Sequence, residues 1–275
     1  MISVSRIYVS VQELCGSAVL CRDGAVGKVS DIILSRSTWC ARYAVVDLEI
    51  EMGAGRVLLP LTGNEAVDIL RRQLRTDQPA SELEWAPTYD SPRPLTRNQE
   101  KILSRRCGWP SEWIASPDRP IFTAALPQFR ETPFAPHDGE LELMLCDSPE
   151  TQSATHLIAA FTASGSDERP ISIQTLIINA GDWRIPYMAA KCGPTARAAV
   201  LPATAISAID WLHKHIYLAC DAEMIARAPR FQPQIAARAA MTRRLNEYYE
   251  EPLQTNENDT QDRMAGTPVL QKLDS

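Results

Sequence analysis

One spacing constrains this chain more than any other feature. Asp31 to Pro60 reads D-I-I-L, a polar break, Trp39 and Tyr43 with Arg42 between them, an apolar run to Leu48, a Gly-containing turn, and V-L-L-P ending at Pro60. The pattern returns as T-L-I-I, a break holding Gly181, Trp183 and Tyr187 with Pro186 between them, a turn, and A-V-L-P ending at Pro202. Trp39 and Trp183 are 144 positions apart, as are Tyr43 and Tyr187; Pro60 and Pro202 are 142 apart. Two aromatics, a proline and two apolar runs do not recur within two positions of one spacing by chance. The chain is a duplication, and its 275 residues accommodate two copies at the usual domain size of about 100–150 residues.

The first copy reads as short strands. Ile7, Val9 and Val11 alternate with polar residues, the period of a half-buried strand. Arg22-Asp23-Gly24 is a turn between two apolar segments, the second running from Val26 to Leu34, which predicts a hairpin. Trp39 to Leu48 and Arg56 to Leu61 predict another around Met52 to Gly55. Val67, Leu70 and Leu74 fit a helical stripe, but 142 positions later Leu74 meets Ile216 in the strand-like H-I-Y-L, so a loop followed by a strand is expected over Asn64 to Arg75. Ser81 to Pro87 predicts a helical turn stopped by proline. Thr96 and Gln99 have capping-box spacing and Gly108 stands where a helix closes, so a helix is expected between them.

The halves are joined by a stretch with five prolines between Ser116 and Pro136, which reads as a stiff linker. Gln232 to Glu250 is rich in Ala and Arg and predicts a helix, whereas Gln254 to Ser275 has few large apolar residues and many Asn, Asp, Thr and Gln, and predicts a disordered tail. The expected organisation is a first domain over 1–115 with a C-terminal helix, a linker over 116–138, a second and divergent domain over 139–252, and a tail over 253–275. The fold class is mainly β with short helices (α+β).

Composition narrows function by exclusion. A net charge of −6 argues against nucleic-acid binding, which draws on basic excess. Seven cysteines without a C-x-x-C pair read as free thiols in a reducing compartment, so a cytoplasmic protein is expected. Met1 to Val11 does not read as a signal peptide, and no run of about 18 apolar residues suggests a membrane span.

Read together, Gly16, Val19, Asp23-Gly24, Gly27, Val29, Asp31, Trp39, Arg42-Tyr43, Val45-Val46-Asp47, Val57 to Pro60 and Ala86 to Asp90 resemble the pattern of the PRC-barrel family, named for the cytoplasmic domain of the photosynthetic reaction centre H subunit. The resemblance covers most of residues 6 to 113. It continues through about 141 to 252 in Trp183, Tyr187, Pro202, Ile209-Asp210-Trp211 and Ala228 to Phe231. It implies two small, strongly bent β-barrels in tandem, acting in binding and assembly rather than catalysis. The second copy departs from it: Pro186 replaces Arg42, and Glu168 and Ile171 replace Gly24 and Gly27.

The candidate site residues are few. His213 and His215 sit two apart in what reads as a strand, so both imidazoles could face one ion, with Cys220 near in sequence. Zinc prefers four ligands and no others stand at motif spacing, so no metal and no cofactor are expected. Cys192 precedes a Gly-Pro turn without a base to activate it. Asp23 reads as turn chemistry, while Asp31 and Asp47 lie at strand positions that could face solvent. Arg71, Arg72 and Arg75, with Arg105 and Arg106, form a modest basic patch. The first copy keeps the family's loops, so the partner surface is expected there, through Asp23, Gly24, Arg42, Arg71, Arg72 and Arg75. The expected function is a non-catalytic protein-binding module. A peripheral subunit or assembly factor of a membrane complex is one alternative. A metal- or thiol-dependent enzyme using the second half is the other.

Overall fold

The repeat spacing reappears in the backbone. The structure is a computed structural model and describes residues 7–49, 55–84, 86–89, 94–109, 149–194, 196–231 and 248. The linker, the tail, nearly all of the expected helix over Gln232 to Glu250, Trp85 and Trp113 lie outside them. The first half contains β1 (Tyr8–Ser10), α1 (Val11–Leu14), β2 (Ala18–Cys21), β3 (Gly24–Ser35), β4 (Ala41–Leu48), β5 (Arg56–Pro60), β6 (Ala66–Asp68), β7 (Gln73–Arg75), α2 (Ala80–Glu84) and α3 (Arg97–Cys107). The second repeats the order with β8 (Thr151–Ser153), α4 (Ala154–Ala160), β9 (Thr162–Ser164), β10 (Pro170–Asn179), β11 (Tyr187–Cys192), β12 (Ala199–Pro202), β13 (Ile206–Asp210), β14 (His215–Leu218) and α5 (Ala222–Arg227). Among the described residues no helix is long and apolar enough to cross a membrane.

Among the described residues the protein is mainly β, with two curled seven-stranded sheets. One runs β5-β4-β3-β2-β7-β6 and the other β12-β11-β10-β9-β14-β13, the same order in each copy. The β2–β7 and β9–β14 pairs are parallel, and the other strand pairs are antiparallel. Curling has a local cause. Register shifts in β3 between Val29 and Asp31 and between Ile33 and Leu34, and in β10 between Ile173 and Thr175, bend the long central strands. Gly27 is required where it stands, because a Cβ there would lie 2.1 Å from the Asp47 carbonyl oxygen. The turn before β10 survives the replacement of Gly24: Glu168 adopts a left-handed φ of 62° instead.

Backbone strain repeats too. Trp39 and Trp183 have φ of 53° and 58°, and Arg72 and Lys214 have φ of 52° and 53°. For a non-glycine residue this region costs about 1–3 kcal/mol, so its recurrence at both pairs means that the fold demands it.

The first strand of each half belongs to the other half's sheet. β1 pairs with β10, matching Val9 to Ile178, and β8 pairs with β3, matching Gln152 to Leu34. The strand expected from Ile7 to Val11 is thus only three residues long and buried. It ends because Ser10 and Glu13 form a capping box that starts α1 at Val11. The Ser-x-x-Glu spacing carried that signal in the sequence. Asn64 to Arg75 is likewise a two-stranded hairpin, β6 with β7, rather than a loop and one strand.

Where the halves meet, the bonds are reciprocal. Ala41 N–H donates to the Trp183 carbonyl at 2.7 Å, and Ile185 N–H donates to the Trp39 carbonyl at 3.1 Å. A contact in which i meets j and j's counterpart meets i's counterpart is the signature of a two-fold axis. One chain therefore folds as a strand-exchanged pseudo-dimer. Its main core is continuous across both sheets, from Val9 and Leu34 to Ile178 and Leu201.

The symmetry is broken at named positions. The Trp183 indole N–H donates to Glu65 at 3.0 Å, whereas the Trp39 indole nitrogen is buried without a partner. Asp31, whose strand position left it free to face solvent, is instead 4% exposed. Its carboxylate accepts from Ile32 N–H at 2.7 Å, Ser153 Oγ at 2.5 Å and Thr155 N–H at 3.1 Å. It thus ties β3 to the exchanged strand β8 and to the start of α4. The equivalent residue, Thr175, has no charge to offer and donates to the Leu176 carbonyl.

A second cluster, Ile33, Tyr43, Val45, Leu58, Tyr89 and Leu95, lies on the outer face of the first sheet. Leu103 of α3 and Trp109 just beyond it pack against this cluster. The helix has the expected ends: Thr96 and Gln99 cap the start, and Gly108 closes it with φ 68°. Glu100, 1% exposed, reaches inward to Arg42 at 2.6 Å and accepts from the Tyr43 hydroxyl at 3.1 Å. Burial, then the Glu100 charge, push the Tyr43 phenol upward.

Candidate interaction site

The way α3 ends builds a cleft. Gly108 turns the chain back, and the Ser104 hydroxyl donates to the Trp109 carbonyl at 2.7 Å, which fixes Trp109 beside Tyr43, ring centroids 5.5 Å apart. Facing this end of α3 is α2, whose first amide, Ala80 N–H, donates to Asp23 Oδ1 at 2.7 Å. The β2–β3 turn thereby sets the position of α2. Between the helices lies a cleft of 460 Å³. Leu58 and Pro60 of β5, with Leu83, Ala86 and Trp109, make it apolar, and Gln78, Ser81, Glu82 and Arg106 add polar groups. The volume suits one or two anchoring side chains, and charges of both signs line it.

The second half treats the same place differently. Tyr248 stands 142 positions after Arg106, and Met224 of α5 stands 142 after Glu82. The Tyr248 hydroxyl donates to the Met224 carbonyl at 2.8 Å, and the ring packs on the core. A tyrosine therefore sits against α5 where the first half leaves a cleft.

The residues singled out by sequence scatter. Asp23 positions α2, and Gly24 completes the turn beside it. Arg42 faces inward at 7% exposure, so it serves the Glu100 pair and not a surface. Arg71 lies near Asp68 at 3.5 Å, Arg72 donates to the Cys15 carbonyl at 3.0 Å, and Arg75 donates to Gln73 at 3.0 Å. None of these arginines lines the cleft; Arg106 does. Asp47 is half-buried and paired with Arg56 at 2.8 Å. Pro186 directly precedes β11, outside the strand, so its missing N–H breaks no ladder bond.

The two histidines do not converge as strand neighbours. His213 lies in the turn before β14, and the left-handed Lys214 between them removes the period of two. His213 Nδ1 meets Asp210 at 2.7 Å, whose carboxyl is held below its usual range by hydrogen bonds from the His213 backbone and ring. His215 contacts Thr162 Oγ1 at 2.7 Å and Ser164 Oγ at 2.9 Å. Among the described residues no three His, Cys, Asp or Glu side chains group to hold a metal ion. Cys192 Sγ lies 3.7 Å from the Pro170 carbonyl.

Burial disfavours thiolates here. It pushes the Cys15 and Cys220 thiols up to about 12 and Cys21 to about 11. The Tyr89 phenol is raised to about 12 and Tyr43 is raised as well, again mainly by burial. A raised folded pKa in an acid means that the folded state keeps its proton after the unfolded chain has lost it. Below about pH 9 both states are protonated and stability is intact; above it the unfolded state binds fewer protons and stability falls with pH. Arg36, lowered to about 10 by burial, acts in the opposite sense, but only above that value. Melting temperature is expected to hold steady from about pH 7 to 8.5 and drop steeply between about pH 9 and 11. A flat profile to pH 11 would contradict the burial of these groups.

No protein-family model matches the chain, and no curated protein matches it.

Proposed function

We propose that the chain is a non-catalytic binding and assembly module, a tandem of PRC-type barrels that holds a partner protein at the cleft of its first half. The reading is carried by the difference between the copies: a cleft between α2 and α3 where Tyr248 meets α5 in the other half. The PRC-barrel part rests on the repeated motif, and the two short-stranded, bulged, curled sheets are what such a motif leads one to expect. The partner chemistry follows from the lining. An aliphatic or aromatic anchor enters between Leu83 and Trp109, and a polar or charged neighbour meets Glu82 or Arg106.

The test fills the cleft. Ser81 is exposed on α2, so Ser81→Trp places a large side chain there with little effect on folding. Affinity capture from the source cells with the unaltered chain should recover one stoichiometric protein. Ser81→Trp should reduce that recovery about tenfold or more, the weight of one hot-spot contact, while Glu223→Ala on α5 leaves it unchanged. Equal recovery by all three would refute the cleft as the binding site.

A further inference from the structure

Among the described residues the most exposed large apolar side chains are a repeat pair. Leu70 is 85% exposed and Leu212 is 80% exposed, and they stand 142 positions apart in equivalent turns, β6–β7 and β13–β14. Neither leucine joins the core. Each is followed by exposed basic residues, Arg71-Arg72 at one tip and His213-Lys214 at the other. Two copies that have diverged at Arg42, Gly24 and Gly27 have kept a leucine where the fold gives it nothing to pack on.

The turns hold these leucines out rigidly. Asp68 accepts from Arg71 N–H at 3.0 Å, and Asp210 accepts from Leu212 N–H at 3.0 Å and His213 N–H at 2.9 Å. The left-handed Arg72 and Lys214 close the turns, and their carbonyls accept from Ala18 N–H at 2.9 Å and Thr162 N–H at 3.0 Å. Beneath the second tip, half-buried Trp211 lies under the Arg36 guanidinium at 4.5 Å, which adds a cation and an aromatic ring to that tip.

We propose that the two turns form a bivalent docking surface for an anionic phospholipid membrane, each leucine entering the headgroup boundary while the adjacent cations meet lipid phosphates. Charge favours this occupant by a small margin: at the first tip Arg71 and Arg72 outnumber Asp68, and at the second Lys214 balances Asp210 while Arg36 supplies the excess cation, in a chain of net charge −6. So does shape. A stable protein interface needs about 800 Å² of contiguous surface per partner, and a convex turn of four residues supplies only a fraction of that. A bilayer needs no matching concavity and rewards each inserted tip separately. Points related by a two-fold axis lie at one height along it, which is the condition that a plane touching both tips requires. Simultaneous engagement multiplies the two weak attachments. The proposal is independent of the partner cleft, whose residues it does not use.

Co-sedimentation of the full chain with phosphatidylcholine vesicles, with and without about 30% phosphatidylserine, tests it. Binding is expected to the anionic vesicles only, and to fall as salt is raised. The Leu70→Ser/Leu212→Ser variant, with an unchanged melting temperature, should partition about tenfold more weakly, and so should Arg71→Glu/Lys214→Glu. Ser81→Trp should bind vesicles like the unaltered chain. Absence of binding to anionic vesicles overturns the proposal, as does equal binding by the leucine variant. Concentration-dependent self-association that the leucine variant abolishes, without vesicle binding, overturns it in favour of a second copy of the chain.

Discussion

Separated from each other, residues 1–115 and 137–275 are expected to fail as monomers. The first fragment would lack β8, so β3 loses the strand that pairs at Ile33, Leu34 and Ser35. Asp31 would lose Ser153 and Thr155 and keep only its local bond to Ile32 N–H. A buried carboxylate left short of partners costs several kcal/mol, a large part of a typical total stability of about 5–15 kcal/mol. The second fragment would lose β1 and α1, with Val9, Val11 and Leu14 of the shared core. Each fragment alone should be unfolded or should exchange strands with a second copy of itself. Co-expression should give a one-to-one complex with a melting temperature near that of the intact chain. Circular dichroism and sedimentation equilibrium read this directly. A monomeric, cooperatively melting 1–115 fragment would show that the exchange is dispensable.

The second large effect lies at the buried pair under α3. Arg42→Ala leaves Glu100, 1% exposed, with the Tyr43 hydroxyl but without its cation. Removing one partner of such a pair costs about 3–5 kcal/mol, so the melting temperature should fall by on the order of 10 °C. Arg42→Met with Glu100→Leu should recover most of the loss, because desolvation of the pair nearly offsets its attraction. A loss under about 1 kcal/mol for Arg42→Ala would mean that the pair contributes little and that α3 is held by apolar contacts alone. Pro186 in the second half, at the position of Arg42, cannot form such a pair at all.

What was legible in the sequence was local. Hairpins were marked by Asp23-Gly24 and by alternation, and α3 was marked at both ends by Thr96, Gln99 and Gly108. The duplication was visible because the motif needs a tryptophan and a tyrosine at fixed places. The exchange was not legible, for a physical reason. β1 could pair with β3 or with its counterpart β10, and a duplicated sequence offers nearly the same complement at both. Burial of Asp31 escaped notice because its partners lie more than 120 positions away. Arg42 read as a surface residue because the carboxylate that draws it inward arrives on a helix 58 positions later. The strand reading of His213 and His215 failed on a single backbone angle, the positive φ of Lys214. The cleft had no sequence signal: it arises where two short helices meet, and only comparison with Tyr248 marks it.

The reciprocal exchange is the centre of this account, and amide-to-amide nuclear Overhauser effects in the intact, deuterated chain test it most directly. The structure pairs Val9 with Ile178 and Leu34 with Gln152. Cross-strand effects joining those two pairs are the expected result. Effects joining Val9 to Leu34 and Gln152 to Ile178 would place each first strand in its own sheet and contradict it.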